Sequence, residues 1–200
     1  NLYNQYGYKT ATLSAAPTKK NLKKSAIYII VDADNNKDNP TPNFVDENNV
    51  QAIAKWVKAG GVLVLLHNDK GNAEFEKFNT LSNTFGIHFN EDSRNRVEGN
   101  KFEMGAVAID TNNEVLQGVQ KIYIKEISTL KLSGNAKPVL QENGYVIAAI
   151  AKYGKGTVFA IGDPWLYNEY VDGRKLPNDF ENFTAAKKLI EWLSNQISKH

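Results

Sequence analysis

Trp56 to Leu66 reads WVKAGGVLVLL and joins the end of a helix, a glycine turn and a strand. The run from Val62 to Leu66 is apolar throughout, which is typical of a strand covered on both faces in a parallel sheet between helices. Gly60 and Gly61 end the preceding helix, for which Asp46 is the expected N-cap. This helix–turn–strand order predicts an α/β fold.

Similar strands are predicted on both sides of this stretch. Residues 26–31 (AIYIIV) and 157–161 (TVFAI) are short apolar runs rich in β-branched residues, and such runs favour buried strands. Residues 9–13 form a shorter and more exposed candidate strand. Alternation of these strands with helices predicts a three-layer, doubly wound and mostly parallel sheet of the flavodoxin-like type, with right-handed crossovers.

Three further helices follow from apolar spacing. One is expected at 73–85 and stops at Gly86, another runs from about 183 to 197, and residues 1–7 look like the end of a helix. Because a doubly wound domain begins with a strand, we expect the first strand, and any catalytic domain before it, to lie upstream of residue 1. Residues 1–200 are then a single domain.

A different pattern fills residues 105–153. Short apolar segments (AVAID, KIYIKE, LKLS, KPVL and YVIAAIAKY) alternate with turn signals, among which Asn143-Gly144 favours a hairpin. This pattern predicts an antiparallel extension of the same sheet.

Composition excludes several classes of function. The formal net charge is +2, so nothing favours nucleic acid as a partner, and the run of lysines from Lys19 to Lys24 is expected to be the solvated face of a short helix. Every purely apolar run, Val62 to Leu66 among them, is far shorter than the ~20 residues of a membrane span.

Motif chemistry is equally restrictive. The chain has no cysteine, which excludes thiol-dependent amidotransferase activity and cysteine-ligated metals. It also lacks the serine elbow G-x-S-x-G and both common nucleotide-binding motifs, so no cofactor is predicted. Residues 32–38 imitate the start of a calcium loop, but Lys37 replaces its glycine, and His67 and His88 lack ligand spacing. We predict no metal site.

The candidate functional surface consists of polar residues in the loops that follow the strands. Ligands of open parallel α/β sheets bind beyond the carboxyl ends of the strands. Polar side chains are concentrated at these positions in this sequence. The candidate ligand-binding residues are Asp32, Asp34, His67, Asn68, Asp69, His88, Asn90, Arg94, Arg96, Glu103, Asp163, Trp165 and Asn168.

Several of these residues allow a second interpretation. Asp69 and Asn72 precede a helix and are equally good candidates for capping it. Arg94 and Arg96 could clamp a carboxylate or phosphate, or could pair with the acidic residues beside them. Trp165, with Tyr167, could stack on a sugar ring or could close the sheet edge against the last helix.

Two long stretches resemble a known family. Residues 56–105 (WVKAGGVLVLLHNDKGNAEFEKFNTLSNTFGIHFNEDSRNRVEGNKFEMG) and 151–177 (AKYGKGTVFAIGDPWLYNEYVDGRKLP) are similar to the glutamine-amidotransferase-like domain appended to bacterial unsaturated rhamnogalacturonyl hydrolases. The strand that ends at His67, with the helix after it and 86–89, is more distantly similar to ThuA-like domains. The resemblance implies an amidotransferase-like fold, a role in pectin degradation and a periplasmic or secreted location. It assigns no catalytic residue here, because the hydrolase activity belongs to a separate barrel domain.

Three hypotheses follow. The first is a non-catalytic accessory domain that binds a pectic oligosaccharide or docks on an adjacent catalytic domain. The second is a glycan hydrolase that uses carboxylates such as Asp69 and Glu103; the sequence offers too many carboxylates to select a catalytic pair. The third is a purely structural domain whose polar loops contact a neighbouring domain.

Overall fold

The structure is a computed structural model that describes residues 2–165, 170–171 and 175–197. Five α-helices lie in it: α1 (Leu2–Gln5), α2 (Lys19–Leu22), α3 (Glu47–Lys58), α4 (Glu76–Asn83) and α5 (Asn182–Gln196). A 3₁₀ helix spans Phe102–Gly105. None of the helices in these residues is long and apolar enough to cross a membrane.

Nine strands were found in the same residues. They are β1 (Ile27–Val31), β2 (Val62–Leu66), β3 (Ile87–Phe89), β4 (Ala106–Ala108), β5 (Lys121–Tyr123), β6 (Leu130–Leu132), β7 (Lys137–Glu142), β8 (Tyr145–Tyr153) and β9 (Gly156–Ile161). Seven of them form one sheet in the order β1-β2-β9-β8-β6-β3, with β7 paired to β8, while β4 and β5 form a separate small sheet.

The large sheet is mixed, which corrects the expectation of a mostly parallel one. β1, β2 and β9 are parallel neighbours, whereas β3, β6, β7 and β8 join through antiparallel pairings. The α/β class and the antiparallel extension are confirmed for β6, β7 and β8. Asn143 and Gly144 connect β7 to β8 with φ of 48° and 82°, the left-handed pair that a tight hairpin requires.

Burial alternates along the central strands and explains the layers. Val62, Val64 and Leu66 of β2 pack in the core on the side of α5, and Leu63 and Leu65 pack on the side of α3 and α4. Both faces of β2 are therefore covered by helices, which is the reason for its continuous apolar sequence. Asp46 caps α3 through a reciprocal capping box with Asn49, as predicted.

Three local expectations were wrong. Residues 9–13 form no strand in the structure. The polar composition of residues 86–105 predicts one long loop, whereas Ile87 and Phe89 are buried in the strand β3, which pairs with β6. AVAID and KIYIKE leave the large sheet and form the small sheet of β4 and β5.

Candidate functional site

The carboxyl ends of β1, β2 and β9 meet at one edge of the sheet, because these strands are parallel neighbours. Asp32 follows β1, and its Oδ1 accepts a hydrogen bond from Asn68 Nδ2, after β2, at 3.0 Å. Asp69 and Asp163 follow β2 and β9 and lie close enough for the charge of Asp69 to raise the pKa of Asp163. We call this group, Asp32, Asn68, Asp69 and Asp163, the carboxyl-edge site.

Asp163 is the most unusual residue of the carboxyl-edge site. Its side chain is buried, with 6% relative exposure, and its Oδ1 has no hydrogen-bond partner among the residues the structure describes. Burial raises the pKa of Asp163 well above its ordinary value; Asp69 and Glu126 raise it further, and Lys125 and a hydrogen bond from the Trp165 backbone oppose them. A buried carboxyl oxygen that has no partner among the described residues is a candidate to be completed by a ligand.

Lys125 and Glu126 form a charged pair beside Asp163. Lys125 Nζ lies 3.0 Å from Glu126 Oε2. Burial lowers the pKa of Lys125, but the hydrogen bond and charge of Glu126, with contributions from Tyr170 and Asp163, outweigh it and raise that pKa. The ammonium group therefore stays charged at neutral pH and offers a donor to an anionic or hydroxyl-bearing ligand.

The backbone is strained at this point. Glu126 has φ of 51° and Asn95 has φ of 53°, and the Glu126 N–H donates to the Asn95 carbonyl at 3.3 Å. Left-handed backbone at such residues costs on the order of 1–3 kcal/mol and clusters at functional sites. This strain supports a functional assignment for the loop that carries Lys125.

Two tyrosines form the aromatic side of the carboxyl-edge site. The rings of Tyr123 and Tyr170 lie 4.8 Å apart between centroids, tilted by 53°. Burial, followed by the charge and hydrogen bond of Tyr170, raises the pKa of Tyr123 to about 12, and Glu126 and Asp163 contribute. Tyr123 is thus a neutral phenol that lies near the carboxyl of Asp163.

Asp69 belongs to the site and does not cap the following helix. Its side chain is buried, and Oδ1 accepts a hydrogen bond from Asn72 Nδ2 at 2.6 Å. The N-cap of α4 is Phe75, and the carboxylate of the preceding Glu74 accepts from the backbone N–H groups of Lys77 at 2.7 Å and Phe78 at 3.0 Å. The capping interpretation of Asp69 is therefore wrong.

His67 lies in the core beneath the site. It is fully buried, and its ring is 4.6 Å from each of the rings of Phe75, Phe78 and Phe89. Nδ1 lies 2.7 Å from the Asn68 carbonyl and Nε2 lies 3.0 Å from the Glu74 carbonyl. The neutral ring can donate its single N–H to only one of these two carbonyls, and His67 presents no atom to solvent.

Residues 90–94 are held against the segment before β6. Asn90 Nδ2 donates to Thr129 Oγ1 at 2.9 Å, and the Asp92 carboxylate accepts from the N–H and hydroxyl of Thr129 at 2.8 and 2.7 Å. Arg94 stacks over the ring of Tyr145 at 4.0 Å and lies 3.8 Å from Asp92. Pairing with a neighbouring acid, the second interpretation of Arg94, is what the structure shows.

The remaining predicted residues are engaged elsewhere or exposed. His88 Nδ1 lies 3.1 Å from Asn83 Oδ1, Asp34 accepts from Asn39 at 2.7 Å, and Glu103 accepts from Lys121 at 2.7 Å. Arg96 is exposed. No group of three His, Asp or Glu side chains that could hold a metal occurs in the described ranges.

The aromatic loop after β9 is only partly described. Trp165 is 1% exposed and packs in the core on the α5 side, which matches the interpretation that it closes the sheet edge. Its Nε1 has no partner among the described residues. Asn168 and Tyr167 lie outside the described residues.

Sequence reasoning missed Lys125, Glu126 and Tyr123. The pattern KIYIKE predicts one strand, whereas β5 ends at Tyr123 and the chain then turns through the left-handed residue Glu126. The only signal for this in the sequence is the adjacent charged pair Lys125-Glu126 after an apolar strand.

Comparisons with known proteins identify the fold and not the chemistry. No family model matches the chain, and no curated protein matches it. Among solved structures, the mmIFT52 N-terminal domain is similar with a TM-score of 0.74 at 18% identity, covering 96% of this chain and 87% of that one.

Two bacterial structures are also similar. Cytoplasmic protein STM3548 from Salmonella typhimurium has a TM-score of 0.61 at 16% identity over 94% of this chain and 78% of its own. The exo-β-1,4-mannosidase Op5Man5 from Opitutaceae bacterium strain TAV5 has a TM-score of 0.51 at 12% identity, over 90% of this chain and 27% of its own. At these identities the likeness establishes that the chain has an α/β fold found in otherwise dissimilar proteins.

Proposed function

We propose that this chain is a non-catalytic accessory domain of a pectin-degrading protein and that its carboxyl-edge site binds carbohydrate. One observation carries the proposal: Asp163 Oδ1 is buried without a partner among the described residues, near Asp69 and Lys125. A sugar hydroxyl both donates and accepts, so it can complete a buried carboxyl without bringing a charge into the site.

The rest of the site is consistent with a sugar ligand. Tyr170, which packs on the buried ring of Tyr123, supplies an aromatic side chain next to the carboxyl groups, and pockets for small ligands combine apolar walls with a few placed polar groups. Lys125 can pair with the carboxylate of a uronic acid unit.

The protein context rests on the resemblance of residues 56–105 and 151–177 to the domain appended to unsaturated rhamnogalacturonyl hydrolases. That resemblance favours a doubly wound, amidotransferase-like subclass and a periplasmic or secreted location. A similar fold corresponds to 27% of the Op5Man5 chain, so such a fold occurs within a longer glycoside hydrolase.

Isothermal titration with rhamnogalacturonan oligosaccharides tests the proposal. We expect Asp163→Ala and Asp69→Ala each to weaken binding about tenfold or more, because each loses a hydrogen bond to ligand worth ~1–3 kcal/mol. Asp179→Ala removes an exposed carboxylate that pairs with Lys121 and should bind like the unmodified chain. Absence of heat with every pectic fragment would overturn carbohydrate binding and leave docking on a catalytic domain as the accessory role.

The alternative function is glycan hydrolysis by Asp69 and Asp163. It is favoured by a carboxyl of raised pKa lying near a second carboxyl, the arrangement in which one group acts as acid and the other as base or nucleophile. Glu103, the partner first considered for Asp69, is paired with Lys121. Release of reducing ends by the chain, lost in Asp69→Asn, would establish hydrolysis in place of binding alone.

A further inference from the structure

Three buried side-chain atoms lack a hydrogen-bond partner in the part of the chain that the structure describes: Ser93 Oγ, Asp163 Oδ1 and Trp165 Nε1. Such atoms are few in folded proteins, because each has lost its hydration without gaining a hydrogen bond. Asp163 belongs to the carboxyl-edge site. The positions of the other two atoms therefore decide whether the three share one cause.

Trp165 follows Asp163 in the turn after β9, and the two residues are directly connected. The backbone N–H of Trp165 donates a hydrogen bond to the Asp163 carboxyl. Both side chains are buried, with 6% exposure for Asp163 and 1% for Trp165. Two of the three unpartnered atoms thus lie in one turn at the carboxyl end of β9.

Ser93 is connected to the same place from one side through Asp69. The carbonyl of Asp92, the residue before Ser93, accepts a hydrogen bond at 2.9 Å from the N–H of Lys70. Lys70 directly follows Asp69, whose charge acts on Asp163. The segment that carries Ser93 is therefore bound to the loop that carries Asp69.

The other side of Ser93 leads to the end of β9. Arg94 and Ile127 exchange both of their backbone hydrogen bonds, each at 2.9 Å. The next residue, Ser128, donates its N–H to the Gly162 carbonyl at 3.0 Å, and Gly162 directly precedes Asp163. Ser93 is thus placed between two segments that both adjoin the carboxyl-edge site.

The hydrogen-bonding capacity of the three atoms restricts the group that can complete them. The indole N–H of Trp165 only donates, the hydroxyl of Ser93 donates and accepts, and the carboxyl of Asp163 accepts when ionised and donates when protonated. An ammonium group has nothing to accept the indole proton, and a carboxylate has no proton to donate to an ionised Asp163. A hydroxyl both accepts and donates, so it suits Asp163 in either state.

The surrounding charges also favour an uncharged group. The carboxylates of Asp69 and Glu126 act on Asp163 together with the ammonium group of Lys125, which is already paired with Glu126 at 3.0 Å. A ligand carboxylate placed at Asp163 Oδ1 would meet two carboxylates in a poorly solvated position, which is unfavourable. A hydroxyl carries no such cost.

We propose that Ser93 Oγ, Asp163 Oδ1 and Trp165 Nε1 form the buried end of the carboxyl-edge site and bind the hydroxyl groups of an uncharged sugar unit. This inference rests on the carbohydrate binding proposed above and adds the class of unit that is selected there. A uronic acid unit next to it in the same oligosaccharide lies toward Lys125, whose side chain is 32% exposed.

Ser93→Ala separates a group reserved for ligand from one that supports the fold. It removes a hydroxyl without a partner among the described residues, so the urea midpoint without ligand should stay equal or rise. Titration calorimetry with a rhamnogalacturonan oligosaccharide should show about fivefold weaker binding, the effect of one hydrogen bond.

Ser82→Ala is the matched control. Ser82 is also buried, but its hydroxyl donates to Asn79 Oδ1 at 3.1 Å in α4. This variant should lower the urea midpoint and leave the affinity unchanged, which is the reverse of the result expected for Ser93→Ala.

The indole resonances of the three tryptophans report on the ligand directly. Trp165→Phe identifies the Trp165 signal by its disappearance. When the oligosaccharide saturates the unmodified chain, the Trp165 N–H should move downfield and exchange more slowly, because it gains an acceptor. The signals of Trp56 and Trp192 are internal controls and should stay in place.

A comparison of saccharides tests the selection of an uncharged unit. A galacturonan oligosaccharide of equal length, in which every unit carries a carboxylate, should bind at least about tenfold more weakly than the rhamnogalacturonan oligosaccharide. Reduction of its carboxylates to alcohols should recover affinity in the unmodified chain, and the recovery should be smaller in Ser93→Ala.

Each of several results would overturn the proposal. Equal binding of the galacturonan and rhamnogalacturonan oligosaccharides would remove the selection of an uncharged unit. Unchanged affinity in Ser93→Ala, or a Trp165 signal that ignores a bound oligosaccharide, would restrict carbohydrate binding to the other residues of the carboxyl-edge site. No binding of any saccharide would overturn both this inference and the carbohydrate binding on which it rests.

Discussion

Asp163 shows how burial changes the role of a single residue. In the sequence it is one of several carboxylates that follow strands, and nothing distinguishes it from Asp32 or Asp34. In the structure Asp34 accepts from Asn39 and Asp32 accepts from Asn68. Only Asp163 combines burial, an unoccupied oxygen among the described residues and a raised pKa.

We predict that Asp163→Asn changes the pH dependence of stability. The folded pKa of Asp163 is raised above the unfolded value of about 3.9, so its contribution to stability is complete below about pH 3.9 and lost as pH rises through the folded pKa. Asparagine does not titrate. Urea unfolding should therefore show the variant gaining stability relative to the unmodified chain, by about 1 kcal/mol or more, between pH 4 and 7.5.

Asp179→Asn is the matched control for this titration. Lys121 lowers the pKa of Asp179 through a hydrogen bond, so replacing this exposed carboxylate should produce a small pH dependence of the opposite sign. Stability curves that run parallel for Asp163→Asn and the unmodified chain would contradict the burial argument.

His67 should contribute the opposite pH dependence from the core. Burial lowers its pKa, against the two carbonyls that raise it, so its stabilising contribution is present above the unfolded pKa of about 6.5 and lost as pH falls through the folded pKa. At pH 7.5 the neutral ring of His67 donates its single N–H to one buried carbonyl, so His67→Leu leaves that carbonyl without a donor and should cost about 1–3 kcal/mol. It should also flatten the loss of stability between pH 7 and 5.

His88→Leu controls for removal of a histidine as such. It lies on β3 beside Asn83 and should change stability by no more than about 0.5 kcal/mol at pH 7.5. An unaltered slope in His67→Leu would show that His67 does not titrate in this window.

At the scale of elements, local patterns located the strands that are buried on both sides. β1, β2 and β9 lie within one residue of the ranges expected from their apolar runs. Residues 9–13 have an extended pattern as well, but a strand exists only where a neighbour pairs with it, and nothing in a local pattern supplies the neighbour. The short strand β3 escaped prediction because three residues are too few to show alternation.

The small sheet of β4 and β5 separates from the large one because its outer edge is already satisfied. Asn182 of α5 accepts from the Tyr123 N–H and donates to the Tyr123 carbonyl, both at 2.8 Å. A side chain thus takes the hydrogen bonds that another strand would make, which no local pattern could reveal.

The backbone of Gly162, just after β9, lies against the backbone of Ser128. We predict that Gly162→Ala is strongly destabilising. A Cβ at Gly162 would collide with the backbone carbonyl of Ser128, which cannot move because Ser128 N–H bonds to the Gly162 carbonyl. The cost should be about 3 kcal/mol or more in urea unfolding.

Gly144→Ala is the control for backbone conformation alone. Gly144 has φ of 82° with open space around it, so alanine there meets no atom and should cost only about 1–2 kcal/mol of left-handed strain. Equal costs at the two positions would show that the approach of Ser128 is not a constraint.

At the scale of the molecule, two buried asparagines connect helices to strand edges in the same way. Asn79 of α4 bonds to the N–H and the carbonyl of Phe89, both at 2.9 Å, as Asn182 of α5 does with Tyr123. The first holds β3 at the far edge of the sheet, and the second holds Tyr123 near Asp163.

We predict that Asn79 and Asn182 contribute equally to the stability of the chain and that only Asn182 contributes to ligand binding. Asn79→Leu and Asn182→Leu each leave one buried N–H and one buried carbonyl without a hydrogen-bond partner. Each should lower the free energy of unfolding by about 2–4 kcal/mol. Only Asn182→Leu displaces Tyr123, so it should also weaken oligosaccharide binding several-fold in titration calorimetry. A comparable loss of affinity in both variants would mean that binding follows general stability.

The sequence by itself determined the α/β class, the parallel strands and the polar ends that they share, because apolar runs, caps and turns are local properties of the chain. Only the tertiary structure decided which polar residues form the site. In the structure His67 is buried in the core, Asp92 accepts a hydrogen bond from Thr129, and Glu103 pairs with Lys121. Lys125 and Tyr123 lie near Asp163. Burial and hydrogen-bond partners come from residues distant in the chain, so these assignments follow from packing alone.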